Sequence, residues 1–135
     1  MRVYKSTEYA IQILHYLHED AMHSAEMFTT QMISEALRIT YPLANNIMAK
    51  LRKNGLITSV RGRNGGYRVA RSVQQISLYD VVLAMEGELK VSYPLDADKA
   101  KDTEQGSLQD YYKEVGKALV EKLASKSIAD FHSLG

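Results

Sequence analysis

Apolar residues recur every three or four positions near the start of the chain, which is the spacing of one face of an α-helix. Between Ser6 and Glu19 these residues are Tyr9, Ala10, Ile13, Leu14 and Leu17. After a polar stretch, a second and shorter run ends at Leu37, and Thr29 or Thr30 can cap its start. The pattern predicts a first helix of about four turns and a second of about two.

A third helix is predicted in the run YPLANNIMAKLRKNG, residues 41–55. Pro42 suits the first turn, where its missing N–H is not needed, and Gly55 suits the end. The apolar side is lined by Leu43, Ile47 and Leu51. The polar residues that lie largely away from it are Asn45, Asn46, Lys50 and Lys53. Two helices joined by the short connector RIT, with the second one basic on its free side, form the plan of a helix-turn-helix unit.

The stretch VRGRNGGYRV, residues 60–69, predicts a β-hairpin between the strand-like runs LITSV and YRVA. Asn64, Gly65 and Gly66 are expected to supply the positive φ angles of its turn. A phosphate-binding glycine loop would instead lead into a helix, and the motif GxxxxGK[ST] is not matched. A hairpin directly after a helix-turn-helix is a wing, which follows the DNA backbone or enters the minor groove. Its arginines are Arg61, Arg63 and Arg68.

A fourth helix is predicted from Ser77, with Asp80 completing a capping box, to Gly87. Residues 88–106 are acidic and lack a clear period, so we expect a loop. A long helix should follow from about Ser107 to Ala124, near 27 Å in length. Its apolar stripe consists of Leu108, Tyr111, Tyr112, Val115, Leu119 and Leu123. We interpret this stripe as a dimerisation surface, and the alternative is that the helix packs back on its own chain.

The chain should close with a short helical turn that places Ile128 and Phe131 against the dimer seam. The predicted fold is mainly α with a small β-hairpin. It comprises a winged helix-turn-helix domain in residues 1–87, an acidic loop in 88–106, and a dimerisation helix with its tail in 107–135.

Charge is distributed unevenly along a chain whose formal net charge is only +1. No acidic residue lies between Glu35 and Asp80, and acidic residues dominate from Glu86 to Glu114. The basic residues of the first region are Arg38, Lys50, Arg52, Lys53, Arg61, Arg63, Arg68 and Arg71. Such a block indicates a surface that binds a polyanion, and a merely solvated basic face is the alternative.

Composition excludes several classes of protein. The 135 residues include no cysteine, which removes disulfides, thiolate nucleophiles and cysteine-ligated metals. Neither a signal peptide nor an apolar run long enough to cross a membrane is visible, so a cytoplasmic location is expected. No nucleophile–base pattern points to an enzyme.

Three weaker candidates for ligand sites remain. His15 and His18 lie one helical turn apart with His23 nearby, but no dense ligand set accompanies them, so no metal site is predicted. Tyr93 with Tyr111 and Tyr112 would border an effector pocket, or would simply pack in the core. The acidic residues from Asp96 to Glu104 lack the spacing of a calcium loop and are interpreted as solvated.

The runs STEYAIQILHYL, LRKNGLITSVRGRNGGYRV, ISLYDVVLAMEG and SKSIADF resemble the Rrf2 family of bacterial winged-helix transcription regulators. The resemblance extends over nearly the whole chain and is most specific from Leu51 to Val69. It implies a homodimer held by the long helix, with two winged helices that bind a palindromic operator on double-stranded DNA.

The resemblance also implies residue roles. Thr40, Tyr41, Asn45 and Asn46 would face bases or nearby phosphates. Lys50 and Lys53 would contact the backbone and Arg61 would enter the minor groove, while Thr29, Thr30, Arg63, Asn64 and Arg68 complete the expected DNA-binding set. Many relatives carry Glu-Gln where this chain has Asn45-Asn46, and often a polar residue at the position of Pro42. The operator should therefore differ from theirs at those base pairs.

Relatives that bind an iron–sulfur cluster place three cysteines in the loop that follows the pair Glu86-Gly87, and this chain has no cysteine. It therefore resembles the clusterless branch, with no cofactor expected. Its signal would be an unidentified small molecule, a partner protein, or neither. The sequence predicts a regulator that binds specific DNA as a homodimer and acts as a repressor rather than an activator. The alternative is a winged-helix protein-interaction module without a specific DNA target.

Overall fold

A computed structural model describes residues 5–21, 27–62, 65–88 and 103–131 of the chain. Five α-helices lie within these residues: α1 (Lys5–Ala21), α2 (Thr30–Leu37), α3 (Tyr41–Lys53), α4 (Leu78–Glu86) and α5 (Thr103–Ala124). They accompany a two-stranded antiparallel sheet of β1 (Ile57–Val60) and β2 (Gly66–Val69). The predicted fold class, mainly helical with one small hairpin, is confirmed.

The start of each helix in the helix-turn-helix unit is set by a threonine. Thr29 Oγ1 accepts a hydrogen bond of 3.2 Å from the backbone N–H of Met32, and Thr40 Oγ1 accepts one of 3.3 Å from Leu43. Of the two candidate caps for α2, Thr29 is therefore the one used. Between the helices, Arg38 adopts a left-handed conformation, φ 56°, and its N–H bonds the carbonyl of Ser34. The short connector turns sharply because this single residue reverses the chain.

The wing pairs Ile57 with Val69 at its base and Val60 with Gly66 at its tip. Phe28 adds a short bridge on the other side of β2, with its N–H donating to the Tyr67 carbonyl at 3.2 Å and its carbonyl accepting from Tyr67 at 2.7 Å. The hairpin is thus joined to the segment before α2, a pairing that local sequence patterns do not predict.

The expectation that Gly65 and Gly66 supply the positive φ angles of the turn is wrong, since neither has a positive φ and Gly66 lies within β2. A positive φ instead occurs at Gly62, +126°. Gly66 is constrained by space, because a Cβ there would lie 2.6 Å from the carbonyl oxygen of Phe28. Asn64 lies outside the described residues.

The core joins the inner faces of the helices. Helix α1 packs against α3, α4 and β2, and α3 packs against α2 and α4. The largest fully buried side chains include Ile13, Leu14, Leu17, Ile33, Ile47, Met48, Leu51 and Leu56. All of them except Leu56, which lies between α3 and β1, are on the apolar sides of the first three helices, as the three-and-four spacing requires.

Helix α4 begins with the predicted capping box, in which Ser77 and Asp80 exchange hydrogen bonds of 2.9 and 3.0 Å. It ends at Gly87, whose φ is +80°. Helix α5, in contrast, begins at Thr103 rather than near Ser107, so the expected boundary of the acidic loop at 106 lies too late. Gly106 does not stop the helix, since one glycine within a helix costs only about 1 kcal/mol relative to alanine.

The segment that follows α5 packs against the segment that precedes α4. Ser77 and Ser127 form an antiparallel bridge, and a 3-10 turn, Ile128–Asp130, follows. Ile128 is fully buried in the core of its own chain, so the expectation that it lies at a dimer seam is wrong. A 3-10 turn at Val73–Gln75, which the sequence pattern did not predict, lies opposite it.

Within the described ranges, none of the helices is both long and apolar enough to cross a lipid bilayer.

Candidate nucleic-acid interface

The outer face of α3 presents one continuous stripe to solvent. The stripe consists of Pro42, Asn45, Asn46, Ala49 and Lys53, all of them exposed. Successive members are one helical turn or less apart, and the opposite face carries the buried residues Ala44, Ile47, Met48 and Leu51. The helix is therefore anchored on one side and free along its full length on the other, which is the geometry of a helix that enters a groove.

Exposed residues surround the N-terminal end of α3. Tyr41, the first residue of the helix, is 50% exposed. Thr40 is exposed beside it, with its hydroxyl oxygen accepting from Leu43 and its hydroxyl hydrogen left for another acceptor. Pro42 has no backbone N–H and the N–H of Leu43 is donated to Thr40, so the N–H of Tyr41 and the helix dipole are what make this end favourable for a phosphate.

The two threonines at the start of α2, both predicted to bind DNA, differ in their exposure to solvent. Thr29 is exposed, whereas Thr30 is only 7% exposed. A side chain buried to that degree has little surface to offer a duplex. Thr29 therefore stays in the candidate interface, and Thr30 is better explained as part of the packing between α2 and the body of the domain.

Two cations of α3 have partners within the fold. The Lys50 ammonium donates to the carbonyl oxygen of Met85, 3.4 Å away, in the last turn of α4. Arg52 Nη1 donates to the Ser59 hydroxyl at 3.3 Å. The first contact places a positive charge where the α4 dipole is negative. The second joins α3 to β1, so it holds the wing against the helix.

The wing presents its arginines outward. Arg61 follows β1 and is exposed, and Arg68 is exposed on β2 opposite Thr58. Arg63 and Asn64, both predicted to bind DNA, lie outside the described residues. The described part of the wing therefore places two guanidinium groups at the surface, beside a hairpin that is itself connected to α3 through Arg52 and Ser59.

Sequence reasoning missed two residues of this surface. Ala49 lies in the middle of the α3 stripe, and its spacing of four from Asn45 would have revealed it. Arg52 was counted only as a basic residue, since its contact with Ser59 depends on how the hairpin folds back. A helical projection could find the first, but no local signal could find the second.

The apolar stripe of α5 is divided by the structure. Leu108, Tyr111 and Val115 are 38%, 60% and 39% exposed. Tyr112, Leu119 and Leu123 are half-buried, and α5 packs against α4 of the same chain. The predicted stripe therefore has an inner part, consistent with packing within the chain, and an outer part that remains available.

No cofactor site emerges from the described residues. His15 and His18 are half-buried on α1, and the part of the chain that the structure describes contains no group of three or more potential metal ligands. His23, Tyr93 and the side chains of the acidic residues 96–104 lie outside that part. Because the sequence contains no cysteine, its residues do not fit an iron centre held by thiolates.

A capped helix-turn-helix, an exposed third helix and a hairpin joined to it define a winged-helix DNA-binding domain. Comparison with known proteins gives the family. Residues 3–133 match the family model described as "Rrf2: Iron-dependent Transcriptional regulator". The chain belongs to the Rrf2 family of DNA-binding transcription regulators.

The chain is also similar in sequence to curated proteins, one of which is named a transcriptional regulator. The HTH-type transcriptional regulator NsrR of Shouchella clausii is 30% identical over 91 residues, which cover 67% of this chain and 60% of that protein. Protein aau3 of Rhizobium meliloti is 32% identical over 97 residues, which cover 72% of this chain and 61% of that protein. The matched regions thus span less than two thirds of these relatives.

Solved structures show the same fold. CymR, the global cysteine regulator of B. subtilis, has a TM-score of 0.72 at 21% identity and covers 100% of this chain and 98% of its own. IscR of T. potens has a TM-score of 0.66 at 27% identity and covers 97% of this chain and 85% of its own. The family and its regulators point to transcription control rather than to an enzyme.

Proposed function

We propose that this chain is a sequence-specific regulator that binds a palindromic operator as a homodimer and represses transcription by occupying a promoter. The observation that carries the proposal is the exposed stripe of α3, polar and free along its length while its other face is buried. A helix presented in this way can enter the major groove, and side chains there can distinguish base pairs.

The wing supplies the second half of the contact. Arg61 is exposed at the end of β1, and a guanidinium suits the negative potential of a narrow minor groove. Arg68, Lys53, Thr29 and the N-terminal turn of α3 would bind phosphates and set the register of the helix on the duplex. Lys50 is left out of this set because its ammonium donates a hydrogen bond to the backbone carbonyl of Met85, in the last turn of α4.

The proposed homodimer uses the outer part of the α5 stripe. Leu108, Tyr111 and Val115 are exposed large apolar side chains at successive turns on one face of a helix of 22 residues, and their clustering supports an interface there. A second copy is the occupant we propose, because two identical winged helices related by a two-fold axis would match two half-sites of a palindrome.

Regulation is proposed to proceed without an iron–sulfur cluster. The absence of cysteine supports this, although the family is described as iron-dependent. The signal would then be a small molecule or a partner protein, or the dimer would bind its operator constitutively. Since bacterial DNA lies in the cytoplasm, the proposed site of action is cytoplasmic.

The test is a binding curve measured over a range of salt concentrations with two duplexes of equal length. One carries the DNA upstream of the protein's own gene, and the other a scrambled sequence. Tight, salt-sensitive binding to the upstream DNA alone supports the proposal, since each phosphate contact lowers log K by about 0.9 per unit of log salt. Failure to bind either duplex at low salt would favour the protein-interaction module.

A further inference from the structure

The base-reading part of α3 carries no cation. Its first two turns expose Tyr41, Pro42, Asn45, Asn46 and then Ala49. In a helix-turn-helix unit, the residues near the N-terminus of the second helix contact base edges. The reading surface is therefore made of two amides, one phenol and two apolar groups, although the region between Glu35 and Asp80 is rich in arginine and lysine.

The cations of α3 lie elsewhere for structural reasons. Lys50 is bonded to the Met85 carbonyl and Arg52 to the Ser59 hydroxyl. Lys53 is the last residue of the helix, roughly 12 Å along the axis from Asn45. Guanine is most often recognised by arginine or lysine, which donate to its O6 and N7 atoms. None of these three cations is placed among the base-reading residues.

Asparagine and small apolar groups suit a different base pair. An asparagine amide donates to N7 and accepts from the N6 amino group of adenine, and apolar groups contact the C5 methyl of thymine. Ala49, between the amides and Lys53, also leaves room for the helix backbone to approach the groove. A cytosine-guanine pair offers neither that donor–acceptor pattern nor a methyl group.

We infer that α3 reads A·T base pairs, with Asn45 and Asn46 as the residues that recognise adenine and with Ala49 and Pro42 against thymine methyl groups. The inference rests on the proposed function, because it names the base pairs that the proposed regulator selects. It concerns the pairs under α3 only. The exposed Arg61 favours A·T pairs in the neighbouring part of the operator as well, since runs of A·T pairs narrow the minor groove that a wing arginine enters.

The first experiment selects binding sites for the full-length protein from a library of randomised duplexes. Major-groove contacts are then located by replacing single purines with their 7-deaza analogues, which lack the N7 acceptor. Enriched sites whose sensitive purines are adenines support the inference. Enriched sites whose sensitive purines are guanines overturn it and leave the proposed function standing. If no sequence is enriched, the proposed function fails, and this inference fails with it.

A second experiment tests the thymine contacts on the selected site. Deoxyuridine in place of thymidine removes only the C5 methyl. At a contacted pair, affinity should fall about fourfold, the effect expected for one buried methyl group. Unchanged affinity at every pair that carries a deaza-sensitive adenine would remove the apolar part of the inference.

The residue assignment is tested with Asn46→Arg and Asn45→Arg. Both side chains are exposed, so neither substitution should impair folding. Each variant should select G·C at one pair per half-site, and should prefer it there by roughly 5- to 150-fold over A·T. Lys117→Arg on the exposed surface of α5 is the control and should select the wild-type site. Variants that still select the wild-type site would show that the asparagines do not read bases.

Discussion

The backbone N–H of Ile128 donates to the carbonyl of Ile76 at 2.8 Å, and both side chains are fully buried. Two residues after Ile76, the N–H of Leu78 donates to the carbonyl of Lys126 at 2.9 Å. These bonds join the segment that follows α5 to the segment between the wing and α4. The C-terminal end of α5, the proposed dimerisation helix, is therefore attached to the DNA-binding domain at this point.

Ile128→Ala should lower the free energy of unfolding by about 2–5 kcal/mol, because a fully buried isoleucine leaves a cavity in the core. Chemical denaturation monitored by circular dichroism measures the change. Lys126→Ala is the control, since the backbone carbonyl that accepts from Leu78 is retained and the side chain is exposed. Equal stability of the two variants would contradict the docking of this segment.

Gly66→Ala should destabilise the protein by about 1–3 kcal/mol, the range for forcing extra volume into a packed site. The new Cβ would lie 2.6 Å from the carbonyl oxygen of Phe28, so the bridge to the wing must shift. Thermal unfolding compares this variant with Thr58→Ala, an exposed position of the facing strand. A Gly66→Ala protein as stable as Thr58→Ala would mean that the wing is not held against Phe28.

Arg61→Ala should weaken binding to the operator by about 1–3 kcal/mol, as expected for the loss of a groove contact. Its stability should be unchanged, since Arg61 is exposed. Fluorescence anisotropy at fixed salt measures the affinity. The control is Lys117→Ala, which removes an equal charge from α5 and should change the affinity for the operator little. An unchanged affinity for Arg61→Ala would refute the role of the wing.

Ala49→Leu should reduce operator affinity at least tenfold, about 1.4 kcal/mol, because added bulk at the middle of the stripe holds α3 away from the groove. The fold should be unaffected, since alanine and leucine are both good helix formers and the position is exposed. The matched control is Ala124→Leu, at the exposed end of α5. If both variants bind like the wild type, α3 does not approach DNA along this stripe.

Tyr111→Asp should shift the protein from dimer to monomer, because a carboxylate would be buried in an apolar interface without a partner. Tyr111 is 60% exposed in the single chain, so the monomer fold should persist. Analytical ultracentrifugation measures the mass, and Lys117→Asp, on the opposite side of α5, is the control. A Tyr111→Asp protein that remains dimeric would place the interface elsewhere.

The amino-acid pattern alone was sufficient to predict the first four helices. Hydrophobic spacing and short-range caps such as Thr29 and the Ser77–Asp80 box act within one or two turns, so they can be recognised from neighbouring residues. The same spacing identified which side of α3 is free. It identified the winged helix-turn-helix plan for the same reason.

The features that join distant parts of the chain emerged only from the folded structure. Thr30 is buried, Lys50 is bonded to Met85, Phe28 extends the sheet, and Ile128 enters the core of its own chain. Each depends on a partner tens of residues away or on the packing around it, and no local pattern encodes such a pairing. The division of the α5 stripe into inner and outer parts has the same origin, since α4 covers one side of a helix whose periodicity is continuous.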